Sequence, residues 1–237
     1  MRPTVYVDYD NTLHDTDSKY RELLDGLLGL DGATLWDLFL NKIHRGEIHM
    51  RHPERHNDLR FHVVLLLERL GHEANPKTIS QVEEAFKAAE RECVENPSYF
   101  PDAFSFLKGV REARYRLCLA TGPDAYEKGK ALEKRMGQRV FDHIFGEDDL
   151  RCLKTEPAYY LRALEVAKAT SQQSAIVGDT IMTDIAPAKM AGLITIWLNR
   201  ECKPLTEGAA APDRQVRSLG EALETLKNIF SARISRA

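Results

Sequence analysis

The nine residues VYVDYDNTL, positions 5–13, decide how the rest of the chain is read. Val5, Tyr6 and Val7 open a short apolar run of the kind that forms a buried strand, and two carboxylates, Asp8 and Asp10, follow one residue apart. Like charges that close repel, so the arrangement is costly unless positive charge sits between them. Two solvated carboxylates in a turn, with Thr12 as a helix cap, is the plain reading. A calcium loop of the helix–loop–helix type is excluded, because its glycine position falls on Leu13 and its closing glutamate position on Lys19. A metal ion or phosphate chemistry would account for the pair.

Segments 4–9, 116–120, 174–177 and 193–198 also read as strands, each followed by Asp, Thr, Gly or Asn. Helical patterns lie between them, at 103–114 and 158–168. This alternation predicts a parallel sheet covered on both faces. Ligands of such sheets bind at the carboxyl ends of the strands, which is where Asp8, Thr121 and Asp179 fall. Residues 15–100 break the rhythm, with helical stretches at 15–30, 33–44, 53–71 and 76–95. Pro53 and Pro76 suit first helical turns and Gly71 a helix end. The expectation is a small helical bundle inserted after the first strand, hinged at 14–17 and 96–102.

Composition narrows the class. With 43% hydrophobic and 29% charged residues over 237 positions, the chain reads as a soluble globular protein. A net charge of -3 gives no reason to expect a nucleic-acid polymer or a membrane as partner. The longest aliphatic run, 63–67, is far shorter than a bilayer span. The opening residues lack the layout of a signal peptide. Cys93, Cys118, Cys152 and Cys202 show no CxxC pairing and read as free thiols in a reducing cytosol. A cytoplasmic location is expected.

Three further segments, CLATGP with Thr121, KTEP with Lys154 and AIVGDTIMTD with Asp179 and Asp184, follow VDYDNTL in order. In order and spacing, the four resemble the signature motifs of the haloacid dehalogenase (HAD) superfamily. The resemblance covers about 1–14 and 101–237, and extends weakly to the insertion. It implies an α/β fold: a Rossmann-like, three-layer core with a parallel sheet over 1–14 and 101–237, plus an inserted α-helical cap domain over 15–100 that carries substrate specificity.

The resemblance also implies roles. Asp8 looks like the nucleophile that forms an aspartyl-phosphate, and Asp10 like the general acid and base. Thr121 and Lys154 would bind the phosphoryl oxygens, with Gly122, Asn11 and Thr12 supplying further contacts. A magnesium ion would be held by Asp8, the backbone carbonyl of Asp10 and Asp179, with Asp184 as a direct or outer support. Gly178 and Gly122 would permit tight turns. The function expected is hydrolysis of a small phosphorylated metabolite, such as a nucleotide or sugar phosphate. A phosphomutase is the alternative, with a 2-haloacid dehalogenase or a catalytically silent binding module behind it. The dehalogenase branch typically lacks the second aspartate, and Asp10 is present here.

Five histidines crowd positions 44–62: His44, His49, His52, His56 and His62. A solvated cap surface is the plain expectation, with a substrate-facing edge (Arg45, Arg51, Arg55 and Arg60 lie among them) and a zinc site as the other readings. If Pro53 opens a helix, the four-residue spacing of His52 and His56 does not place both on one helical face. His14 is expected near the entrance to the site. Leu59, Val63, Leu66 and Leu70 form an apolar helical stripe expected in the core of the insertion.

Overall fold

A computed structural model describes residues 2–234. The chain divides into two compact units, residues 1–14 with 99–237, and residues 15–98.

The first unit is built on six strands: β1 (Thr4–Val7), β2 (Arg116–Ala120), β3 (His143–Phe145), β4 (Ser174–Gly178), β5 (Ile194–Leu198) and β6 (Arg214–Val216). All five pairings are parallel, in the order β3-β2-β1-β4-β5-β6. Side chains alternate between the faces of a strand, and both faces here are covered. Val5 and Val7 pack with Phe106, Leu107 and Val110 of helix Ala103–Glu112, and with Leu226 and Phe230 of helix Leu219–Ile234. Tyr6, between them, packs on the other side with Tyr159, Tyr160 and Ala163 of helix Pro157–Ala167. This is the three-layer α/β core that the sequence predicts. Each fully buried Val or Leu contributes about 1.5–3 kcal/mol relative to exposure.

The strand order places the site. Chain direction across the sheet reverses between β1 and β4, and a crevice opens at the carboxyl ends of two strands whose connections leave in opposite directions. Asp8 directly follows β1 and Asp179 directly follows β4. The Asp8 N–H donates to Val177 O at 3.0 Å, which carries the β1–β4 ladder one residue into the crevice.

The second unit is all helical among the described residues: Thr16–Leu23, Gly32–Asp37 continuing into Leu38–Ile48, Leu59–Leu70 and Pro76–Glu95, with short turns between them. Pro76 stands in the first turn behind an Asn75 cap, and Gly71 closes Leu59–Leu70 at φ 71°. Val63 and Leu66 are fully buried, with Leu59 and Leu70 packed on the same cluster. Pro53 departs from expectation. It opens only the short 3-10 turn Pro53–Arg55, and the helix begins six residues later, where the Asp58 carboxylate caps the Phe61 N–H. A second departure is the Leu38–Ile48 stretch, which is wound as a π-helix.

Candidate active site

The crevice gathers most of the acidic residues singled out in the sequence. Asp8 is buried, Asp184 fully so and Asp179 half-buried, and an oxygen from each carboxylate lies within 4.8 Å of the others. Lys154 is buried among them. Its ammonium donates to Asp8 Oδ1 and lies 2.6 Å from Asp184 Oδ1. One ammonium therefore pairs with two of the three clustered carboxylates. Burial, then the charge of Asp184, pushes the Asp8 carboxyl up to about 7, although Lys154 pulls the other way. Burial alone would lower the Lys154 ammonium, but Asp184 and Asp8 outweigh it and hold it well above the usual lysine range.

Local structure fixes each of these side chains. The Lys154 N–H donates to Glu147 Oε1 at 2.8 Å, anchoring the loop before helix Pro157–Ala167. Asp184 closes a turn on itself, accepting the Thr180 N–H on Oδ2 at 3.0 Å while its own N–H donates to Thr180 O at 2.9 Å. The Trp197 indole donates to Asp179 O at 2.7 Å. The tight-turn role expected of Gly178 and Gly122 is not what the backbone shows, since neither has positive φ. At Gly178 the requirement is space, because a Cβ there would overlap the Asp184 carboxyl carbon. Gly178→Ala should therefore displace Asp184 and cost about 1–3 kcal/mol. A melting temperature equal to wild type would contradict this. At Gly122 a Cβ would meet nothing within 4 Å, so the fold itself does not demand glycine there.

Asp10 is half-buried, and its Oδ2 accepts from Lys128 Nζ at 2.8 Å and lies 3.5 Å from Thr121 Oγ1. Thr121 is fully buried just past β2, its N–H bonded to Phe145 O at 3.1 Å. Asn11 takes φ 55°, a left-handed conformation that asparagine tolerates better than most residues. Thr12 lies fully buried beneath this loop, its hydroxyl without a hydrogen-bond partner. Arg200 donates to Thr12 O at 3.2 Å and pairs with Asp102 at 3.0 Å, bracing the loop from below. His14 is not at an entrance. It is fully buried, with its ring against Tyr9 and Tyr99 at 5.5 and 6.4 Å.

Sequence reasoning missed Lys128, on helix Ala125–Met136. One signal was available: a lysine beside the first turn of a helix opposes the macrodipole, so something must compensate it. Here Asp10 does, holding the Lys128 ammonium above its usual range against the cost of burial. Tyr159 was missed as well. Its hydroxyl reaches both Thr121 O and Phe145 O, at 2.9 and 2.8 Å, and so joins the ends of β2 and β3.

The donor set suits a hard divalent cation, which prefers carboxylate oxygens and would offset their mutual repulsion. The family profile of the haloacid dehalogenase-like hydrolases matches residues 3–192. The chain belongs to that family. It is 25% identical to a glyceraldehyde 3-phosphate phosphatase of Pyrococcus abyssi over 206 residues, covering 83% of this chain and 81% of that protein. It is also 25% identical to the pyrimidine 5'-nucleotidase PynA of Streptococcus pneumoniae, over 94% of both chains. Among solved structures, the HAD-hydrolase YfnB of Bacillus subtilis, bound to magnesium, superposes with TM-score 0.75 at 21% identity, over 95% of this chain and 98% of that one. The L-2-haloacid dehalogenase of Xanthobacter autotrophicus gives 0.73 at 18% identity, over 96% and 99%. At those identities the structural likeness speaks for the fold.

Proposed function

We propose that this hydrolase is a magnesium-dependent phosphatase that cleaves a small phosphate monoester through an aspartyl-phosphate on Asp8. The observation that carries the reading is the buried Lys154 ammonium between Asp8 and Asp184, with Asp10 held by Lys128 two residues beyond the nucleophile. The phosphatase and nucleotidase names of the relatives support the same chemistry. The substrate class is a small phosphorylated metabolite, and residues 15–98 are the unit we assign to its discrimination. Among the described residues no helix is long and apolar enough to cross a membrane and no disulfide joins the four cysteines, which fits the cytoplasmic location we infer.

In the first half-reaction an Asp8 oxygen forms a bond to phosphorus as the bond to the ester oxygen breaks. Lys154, Thr121 and the backbone around Gly122 and Asn11 would receive the phosphoryl oxygens. Asp10 gives its proton to the departing alkoxide, then takes one from the water that hydrolyses the aspartyl-phosphate. Magnesium, held by Asp8, Asp179, Asp184 and the Asp10 carbonyl, would supply the charge that offsets the phosphoryl oxygens and the crowded carboxylates.

The direct test is hydrolysis of a nitrophenyl phosphate by chelator-treated protein, before and after magnesium is restored. Turnover that appears only with magnesium supports the reading, and no turnover on any ester defeats it. Asp10→Asn separates the acid role from mere positioning. Its loss should be on the order of 10²–10⁴ for alkyl phosphates and much smaller for nitrophenyl phosphate, whose leaving group barely needs a proton. Equal losses on both esters would count against Asp10 as the acid.

Magnesium binding should also depend on pH, with a sign set by Asp8. Its carboxyl is raised to about 7 in the folded protein, so between the unfolded value and about 7 the native state holds a proton that the unfolded state has released. The Asp8 contribution to metal-free stability therefore falls as pH rises through that window. Magnesium needs the ionised carboxylate, so the rise in melting temperature it produces should be larger at pH about 8 than at about 5.5. A magnesium effect independent of pH would contradict this.

A further inference from the structure

The histidine cluster of the helical unit has no part in that chemistry, and it is not the solvated surface expected from the sequence. His44, His49 and His56 each offer a ring nitrogen, and the three lie within 4.8 Å of one another. Their rings meet at centroid distances of 4.4, 4.9 and 4.7 Å. The π-helix makes this possible. Residues five apart on an α-helix point about 140° apart, whereas in the π register the His49 N–H donates to His44 O and the two rings share a face. The short turn opened by Pro53 then delivers His56 to the same place.

Hydrogen bonding fixes which nitrogen of His44 is available. The His62 Nδ1–H donates to the backbone carbonyl of Asp58 at 2.7 Å, so His62 Nε2 must accept. It lies 2.9 Å from His44 Nδ1, which must therefore carry the proton and leaves Nε2 of His44 as a lone-pair donor. A backbone carbonyl orienting one imidazole, which orients a second, is the outer-shell arrangement found behind metal-bound histidines. His49 supplies an independent observation: both of its ring nitrogens are buried and neither has a hydrogen-bond partner. A buried polar group left in this way calls for an explanation, and a bound ion supplies one. His44 and His49 are both held neutral, at about 2 and about 4, by burial and by the neighbouring histidines and Arg45.

We propose that His44, His49 and His56 bind a divalent transition-metal ion, zinc foremost, with His62 as the positioning residue and the fourth position open. All-imidazole donors suit zinc, copper or nickel and not magnesium or calcium. Tetrahedral zinc at about 2.0–2.1 Å from each nitrogen requires donors about 3.4 Å apart, so nitrogens already within 4.8 Å of one another reach that spacing by small side-chain rotations. The ion would fasten the end of the π-helix to the turn carrying His56. His52 stands outside the cluster, 3.8 Å from Glu54 Oε1.

The test uses the full chain, stripped with chelator and titrated with zinc against a chromogenic zinc indicator in excess magnesium, which occupies the carboxylate site. One zinc per chain is expected, with X-ray absorption showing imidazole nitrogen ligands. His49→Ala should abolish that binding, His62→Leu should weaken it by about 10–100-fold, and His52→Ala should leave it unchanged. Circular dichroism establishes that each variant is folded, and absorption by zinc-loaded wild type decides the matter if His49→Ala does not fold. Oxygen-only ligation, no binding by folded wild type, or equal binding by folded His49→Ala would each overturn the proposal.

Discussion

Asp8→Asn is expected to lower kcat by on the order of 10⁴–10⁶ on every phosphate ester, whatever the leaving group. The loss should be this large because no neighbour can take the place proposed for Asp8: Asp184 is fully buried and tied to Lys154, and Asp10 is tied to Lys128. The same change should leave the metal-free protein as stable as wild type or more so. Burial and Asp184 already disfavour the charged form of Asp8, and an amide removes that repulsion while Lys154 keeps Asp184 as its partner. Loss of turnover without loss of folding is a combination that a purely structural role for Asp8 does not produce. Rapid quench with a radiolabelled ester should trap protein-bound phosphate in wild type and none in the variant. Retention of the bound phosphate by Asp8→Asn would overturn the nucleophile assignment.

Lys154→Met should have the largest effect on stability. The lysine is 3% exposed and pairs with two buried carboxylates, and its removal leaves both without a counter-charge. Breaking a buried pair in this way costs about 3–5 kcal/mol. For a chain of this size each kcal/mol moves the melting temperature by about 2–4 °C, so a drop of roughly 6–20 °C is expected. Magnesium should recover part of it, since a cation bound only by the folded state stabilises that state by mass action. Calorimetry with and without magnesium checks both statements. A variant that melted with wild type would mean that the carboxylates do not depend on Lys154.

The sheet was legible because its central strands are buried on both faces. Val5–Tyr6–Val7 and the runs within β2, β4 and β5 announce themselves as short apolar segments closed by Thr, Asp, Gly or Asn. The edge strands were not legible. β3 and β6 have three residues each, and β6 exposes Arg214 and Gln215, so neither carries a hydrophobic pattern longer than chance supplies. In the site, Asp8, Thr121, Lys154, Asp179 and Asp184 could be named from their motifs because each stands at or near a strand end or helix start. Lys128 carries no motif, only a charge set against the macrodipole near a helix start, and its partner is shown by a 2.8 Å contact with Asp10, 118 residues away in the chain.

The same boundary runs through the helical unit. The apolar stripe of Leu59–Leu70 is a periodic property of one segment and can be read there. The histidine cluster depends on a π register, on a turn that Pro53 opens without starting a helix, and on His62 arriving from a different helix. By itself the sequence determined the family and the parallel sheet, and it named carboxylates that the fold brings together, because strand burial and motif order are local and repeat in a fixed sequence. Only the tertiary structure decided that Lys154 sits between Asp8 and Asp184, that Gly178 is needed for space and not for a turn, and that three histidines converge. Each of these is a distance between groups remote along the chain, set by the packing of whole elements and not by the propensity of any one of them.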